Sequence, residues 1–175
     1  MRKAERNFYD ACQKQLDNDW HVLYNVSWTG PRNGHNDDCD ADFLLIHPSF
    51  GLFTVEVKGG QRIWVDNGDW FTQPHGNFDA QKIKDPALQA SESKRFLFSF
   101  IKNNSDIKLK GSFGHMVVFP GHMQTGDMAP HLPRRIICDS KDLRDLAGKL
   151  KDLANYWNQK HQLDNVNVKK IVDSI

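Results

Sequence analysis

No apolar run in the chain approaches the roughly 20 residues needed to cross a bilayer, and mean hydropathy is -0.63. A membrane protein is therefore excluded and a soluble one expected. Cysteine is scarce: Cys12, Cys39 and Cys138 are widely spaced and odd in number, which excludes a disulfide framework and fits reduced, passive thiols. The amino-terminal MRKAERNFYDACQKQL alternates charge with apolar residues and lacks the apolar stretch and small-residue cleavage site of a secretory signal, so the expected compartment is the cytoplasm. Net charge is almost absent, at +1, so no global field draws the chain to nucleic acid. Several chemistries lack their signatures too. No serine nucleophile elbow or phosphate-cradling glycine loop is present, and no C-x-x-C or H-x-x-x-H pair anchors a zinc site around His35 and Cys39.

What is present fits one globular domain: 175 residues, 39% of them hydrophobic. The charges, 26% of the residues, are unevenly placed. Between Asp37 and Lys58 stand five acids and one base, a balance of -4 suited to cation capture. Between Gln81 and Lys110 seven bases face three acids, a balance of +4 that could hold phosphate or simply be solvated surface.

Apolar residues at Ala4, Phe8, Ala11, Cys12 and Leu16 predict a first helix over Arg2 to Leu16. Trp20 to Trp28 alternates as a half-buried strand with Trp20, Val22, Tyr24, Val26 and Trp28 on one side, and the Gly-, Pro-, Asn- and Asp-rich residues from Gly30 to Asp38 read as a loop. Asp42 to His47 and Leu52 to Lys58 form a predicted hairpin, and Arg62 to Val65 and Asp69 to Thr72 another, around Asp66-Asn67-Gly68. Asp85-Pro86 opens a second helix, since Pro suits the first helical position. His115 to Pro120 and Arg134 to Cys138 read as strands of a central sheet, and Ser140 as the N-cap of a third helix running to about His161. Strands first, then alternating helix and strand, predict an α/β protein with a central mixed β-sheet flanked by helices.

The segment DADFLLIHPSFGLFTVEVKGG, from Asp40 to Gly60, carries the chemistry. Side chains alternate along a strand, so Glu56 and Lys58 share a face. Asp42 joins them if Ser49, Phe50 and Gly51 form the loop with Gly51 left-handed, which pairs Asp42 with Lys58 and Leu44 with Glu56; a one-residue slip would send Asp42 to the other face. Two carboxylates held close repel unless a cation lies between them, and hard oxygen ligands favour Mg2+ or Mn2+. Such an ion polarises a phosphoryl oxygen and activates water, while a lysine ammonium stabilises developing charge. An ordinary surface salt bridge between Glu56 and Lys58 is the competing reading. A calcium loop starting at Asp38 is rejected, because Phe43 stands where Gly is needed and Ser49 where Glu is needed. For Trp64, Trp70 and Phe71, hairpin or core packing competes with stacking on unpaired bases.

Four segments in order, AERNFYDAC with Glu5, DFLLIHP with Asp42, GLFTVEVKGG with Glu56 and Lys58, and DPALQASESKRF with Gln89, resemble the NERD domain. This is a nuclease-related branch of the PD-(D/E)xK, restriction-endonuclease-like superfamily. The resemblance runs from the first helix to about Pro120 and departs from the family at Ala41, where a bulkier apolar residue is usual. It implies a restriction-endonuclease-like core in which Asp42 and Glu56 bind Mg2+ or Mn2+ and Lys58 is catalytic. Glu5 would be a further metal ligand or position the water, and Gln89 would steady the site or contact phosphate. The implied activity is metal-dependent hydrolysis of phosphodiester bonds, with DNA as the expected partner and RNA the other candidate. The alternatives are a catalytically weak nucleic-acid-binding module serving a larger DNA-processing protein such as a helicase, or a protein-interaction domain. A homodimer or a fused helicase are the expected protein partners. Residues 1–162 would form one nuclease-like domain and 163–175 a tail or the start of a linker.

Overall fold

The computed structural model describes residues 1–32, 35–76, 79–104, 113–157 and 163–175. In chain order the elements are α1 (Lys3–Gln15), β1 (His21–Arg32), β2 (His35–His47), β3 (Gly51–Val57), β4 (Arg62–Asp66), β5 (Asp69–Gln73), β6 (Gln81–Ile83), α2 (Pro86–Asn104), β7 (Phe113–Phe119), β8 (Ile137–Asp139), α3 (Leu146–Tyr156) and α4 (Asn165–Ser174). The main sheet has the order β1-β2-β3-β7-β8. Its first three strands are antiparallel, and β7 and β8 continue in parallel, so the sheet is mixed, as expected.

β3 is the middle strand, hydrogen-bonded on both edges, and every one of its residues is buried, which accounts for its apolar composition. On one face of the sheet Phe8 of α1 and Leu146, Leu150 and Leu153 of α3 share a core with Phe43, Phe53, Val55 and Val57. On the other face Leu97 and Ile101 of α2 and Val168 and Ile171 of α4 close over Leu44, Ile46 and Leu52. Removing each such large apolar side chain from water stabilises the fold by roughly 1.5–3 kcal/mol. The segment expected as a tail or linker, 163–175, thus contains a helix whose apolar residues lie in the second core. Among the described residues no helix is long and apolar enough to cross a membrane.

Several local expectations meet the structure well. Asp85 Oδ1 accepts from the N–H groups of Ala87 and Leu88 and so caps α2, whose first residue is Pro86. Asn67 (φ 50°) and Gly68 (φ 85°) form the two-residue turn between β4 and β5, both left-handed as a type I′ turn requires. All three cysteines are free and buried.

Others are corrected. Of the expected loop from Gly30 to Asp38, residues 30–32 and 35–38 instead belong to the β1–β2 ladder, paired from Thr29↔Asp38 to Arg32↔His35, because backbone pairing tolerates the polar, Gly- and Pro-containing composition there; residues 33 and 34 lie outside the described residues. The β2–β3 register is two residues from the expected one: the loop is Pro48-Ser49-Phe50, His47 pairs with Gly51, and Leu44 pairs with Thr54, not Glu56. Gly51 is left-handed at φ 86°, but as a strand residue facing His47. A two-residue shift preserves parity for the paired residues, Phe43 to His47 against Gly51 to Val55, but Asp42 lies beyond that ladder, between Ala41 and Phe43, which fall in opposite cores.

The five alternating residues from Trp20 to Trp28 do not share one side. The ladder passes from Tyr24↔Phe43 to Val26↔Ala41 with Asn25, at φ 52°, and Asp42 between, and the alternation changes phase. Val22 therefore packs with the α1-side core, whereas Val26 and Trp28 join the α2-side core together with Ala41. The predicted hairpin Arg62 to Thr72 is present as β4–β5 and forms a second sheet with β6. Residues 134–136 are a 3-10 turn ahead of β8. Asp145, not Ser140, caps α3, accepting from Gly148 N–H, and the expected end at His161 lies outside the described residues.

Candidate functional site

Asp42, at the phase change of β2, turns its carboxylate to the end of β3 and accepts the Val57 N–H on Oδ2 at 2.7 Å. Glu56 occupies the penultimate position of β3, on the side of Thr54, whose hydroxyl donates to Ala90 O of α2. Lys58 follows the strand, its own N–H donating to Val118 O of β7 at 2.9 Å, so the backbone beneath it belongs to the sheet. Its ammonium reaches back to Glu56 Oε1 at 2.5 Å, with both side chains largely removed from solvent. This is the predicted neighbour relation of Glu56 and Lys58, but partly buried and rigidly mounted, unlike an exposed surface pair.

Glu5 comes to the same end of the sheet on the first turn of α1 and is itself buried. One oxygen does two jobs: Oε2 accepts the Arg2 N–H and the Tyr24 hydroxyl, each at 2.8 Å. Sequence reasoning missed Tyr24, since alternation marks it only as one more residue of an apolar strand face. The hydrogen bond to Glu5 is also the main reason the Tyr24 hydroxyl is held above its usual range.

Electrostatics tie these groups together. Burial pushes the Glu56 carboxyl up to about 7; Lys58 opposes, while Asp42 and Asp40 push further in the same direction. Burial likewise raises Asp42, against the pull of the Val57 N–H and Lys58 and with the help of Glu5. Two carboxyls raised by desolvation and by other carboxylates are what a bound cation would return to the ionised form. The donor set is of the kind a hard divalent ion takes: among the described residues the hydrogen bonds to these carboxyls fall on Asp42 Oδ2, Glu56 Oε1 and Glu5 Oε2, while Glu5 Oε1 lies 3.8 Å from Arg2 Nε.

Two cavities flank the pair. One of about 420 Å³ is lined by Arg2, Glu5, Lys58, Thr72, His75 and Gln81 among others; its charged residues are Arg2, Lys3 and Lys58 against Glu5. The other, about 190 Å³, is lined by Asp40, Glu56, Lys84, Gln89, Glu92 and Ser93 among others. Gln89 and Glu56 thus line one cavity, and among the described residues the buried Gln89 Oε1 has no hydrogen-bond partner. The structure does not gather Glu5, Asp42 and Glu56 as tightly as a second group.

That second group is Asp17, Asp19 and His47, whose potential ligand atoms lie within 4.8 Å of one another and are compatible in type with a divalent cation. Its histidine is already committed, however. His47 Nδ1 accepts the N–H groups of Ser49 and Phe50, so the neutral ring carries its proton on Nε2 and turns a donor, not a lone pair, outward. Ligation by His47 would require those two bonds to break.

The family model described as NERD, nuclease-related domain, matches residues 2–120. No curated protein and no solved structure matches the chain.

Proposed function

Since the chain belongs to the NERD family, the nuclease-related domain of the PD-(D/E)xK superfamily, we propose that it is a divalent-metal-dependent nuclease hydrolysing phosphodiester bonds in DNA. The observation that carries the proposal is the convergence of Asp42, Glu56, Lys58 and Glu5 at one end of β3, beside a cavity whose lining includes Arg2, Lys3 and Lys58.

Asp42 and Glu56 hold Mg2+ or Mn2+, with Glu5 as a further ligand or a group orienting water. The ion, when bound, polarises the phosphoryl oxygen and activates the attacking water. Lys58 would place its ammonium where negative charge grows on the phosphoryl group. Val57 N–H fixes Asp42, and the Tyr24 hydroxyl fixes Glu5, so neither carboxylate needs reorganisation. Gln89, on the wall of the cavity that Glu56 also lines, steadies the site or meets a phosphate. The cavity walled by Arg2, Lys58 and His75 receives the strand.

One observation favours a second reading. The closed Glu56–Lys58 ion pair occupies both groups, and a chain that kept it closed would bind DNA with little turnover, as a module of a larger DNA-processing protein such as a helicase. Labelled linear, branched and single-stranded DNA incubated with Mg2+, Mn2+ or EDTA decides between them. Metal-dependent cleavage abolished by Asp42→Ala is expected; salt-sensitive binding without cleavage would favour the module.

A further inference from the structure

The second sheet, β4–β5–β6, has two unlike faces. Ile63, Val65 and Ile83 pack inward on the main core, where Trp70 is 2% exposed. Thr72 and Gln81, also inward, line the cavity that Lys58 opens onto, and the Thr72 hydroxyl donates to Gly59 O, one residue from that lysine. The sheet is thus the outer wall of the candidate site.

Its outward face follows from the register. Arg62↔Gln73, Trp64↔Phe71 and Phe71↔Lys82 are directly opposed, so these residues share the side away from the core. Trp64 and Phe71 belong to neither apolar core. Their rings stack on each other at 5.7 Å with planes 18° apart, and the Arg62 guanidinium lies 5.1 Å from the Trp64 ring centre. Both rings keep partial access to solvent. Arg62 stands at the end of β4 that continues from Lys58 through Gly59 and Gly60, so the cation lies toward the cavity and the rings beyond it. Asp69 holds Lys82 at 2.7 Å, farther along the same face.

We infer that this face is a stacking platform for unpaired bases of single-stranded DNA whose backbone runs on into the cavity beside Lys58. It rests on the nuclease reading for the strand's presence at the cavity. Flat π-faces held on rigid strands take any base, and a guanidinium at the cavity end serves both the ring face and the phosphate of the next nucleotide. The occupant is a single strand because bases inside a duplex are stacked on their neighbours and offer no free face to these rings.

The test is fluorescence anisotropy of the full chain with a labelled oligothymidylate and a blunt duplex of equal length, in EDTA so that binding is read apart from cleavage. Trp64→Leu and Phe71→Leu should each weaken oligothymidylate binding about tenfold, as loss of one base–aromatic stack implies. Duplex binding should change far less, and Trp64→Phe should restore most of the loss. Unfolding curves of each variant separate a damaged hairpin from a lost contact, and the Phe variant keeps the test valid if Leu destabilises the turn. Equal oligothymidylate affinity for wild type and both Leu variants, equal losses on single strand and duplex, or no binding of oligothymidylate by the wild type would each overturn the platform. The nuclease reading is judged separately, by metal-dependent cleavage in the Asp42→Ala comparison.

Discussion

Replacing Glu56 by Gln should remove a pH dependence that this carboxyl imposes on folding stability when divalent cations are absent. The Glu56 side chain is 9% exposed, and burial lifts its pKa from 4.5 to about 7. Between those values the folded chain holds the proton and the unfolded chain does not, so stability from this group is complete below the unfolded value and is lost as pH rises through the folded one. At about 1.36 kcal/mol per pKa unit, Glu56 should make the folded state about 2 to 3 kcal/mol less stable at about pH 8 than at about pH 5. In a chain of this size that is a difference of roughly 5–10 °C in Tm. Gln keeps the shape and can still accept from Lys58, so the substitution isolates the titration. The buried His115, pushed down to about 3 chiefly by desolvation, has the opposite slope and loses stability as pH falls below the usual histidine range. It is present in both proteins and cancels in their comparison. Urea unfolding in EDTA at the two pH values is the assay, and parallel pH profiles for wild type and Glu56→Gln would refute the reasoning.

Mn2+ should raise Tm more at about pH 8 than at about pH 5.5, because binding must expel the Glu56 proton; about 2.7 kcal/mol is expected at about 100 times Kd, and Asp42→Ala should abolish it in thermal scans. A methyl group at Gly114 would lie 2.6 Å from Trp157 Cδ1 and 2.7 Å from Phe53 Cδ1. Gly114→Ala should therefore cost about 1–3 kcal/mol in urea unfolding, as overpacking does. Asp139, 1% exposed, accepts from the N–H groups of Gln124, Lys141 and Asp142 and pairs with Arg134, which together hold its carboxyl below the usual range despite burial. Asp139→Ala should cost about 3–5 kcal/mol by stranding those donors, measured by the same unfolding curves.

The helix carrying Glu5 and the alternation that makes Glu56 and Lys58 neighbours were legible because both rest on periodicity, which burial enforces. Register was not, since moving the loop from Ser49-Phe50-Gly51 to Pro48-Ser49-Phe50 leaves each paired side chain on its face and changes only its opposite number, and the face of Asp42 does not follow from parity, because Ala41 and Phe43 on either side of it fall in opposite cores. The phase change at Asn25 and Asp42 depends on one left-handed residue, and Asn carries no mark in sequence that it will adopt that conformation. Gly30 to Asp38 misled because turn-forming residues in a long hairpin arm look like a loop when their pairing partner is not yet known. Tyr24 and Asp40, which act on Glu5 and Glu56 across elements, became visible only once the sheet placed them.

The most direct test of the central claim is the rate of DNA cleavage in Mg2+ or Mn2+ by wild type and by Lys58→Ala, with the Mn2+-induced rise in Tm recorded for both. The expected result is a loss of at least about a hundredfold in rate for the variant, as for removal of one preorganised charge-stabilising donor, with the rise in Tm retained. Cleavage by Lys58→Ala at the wild-type rate, or none by the wild type with either metal, would contradict it.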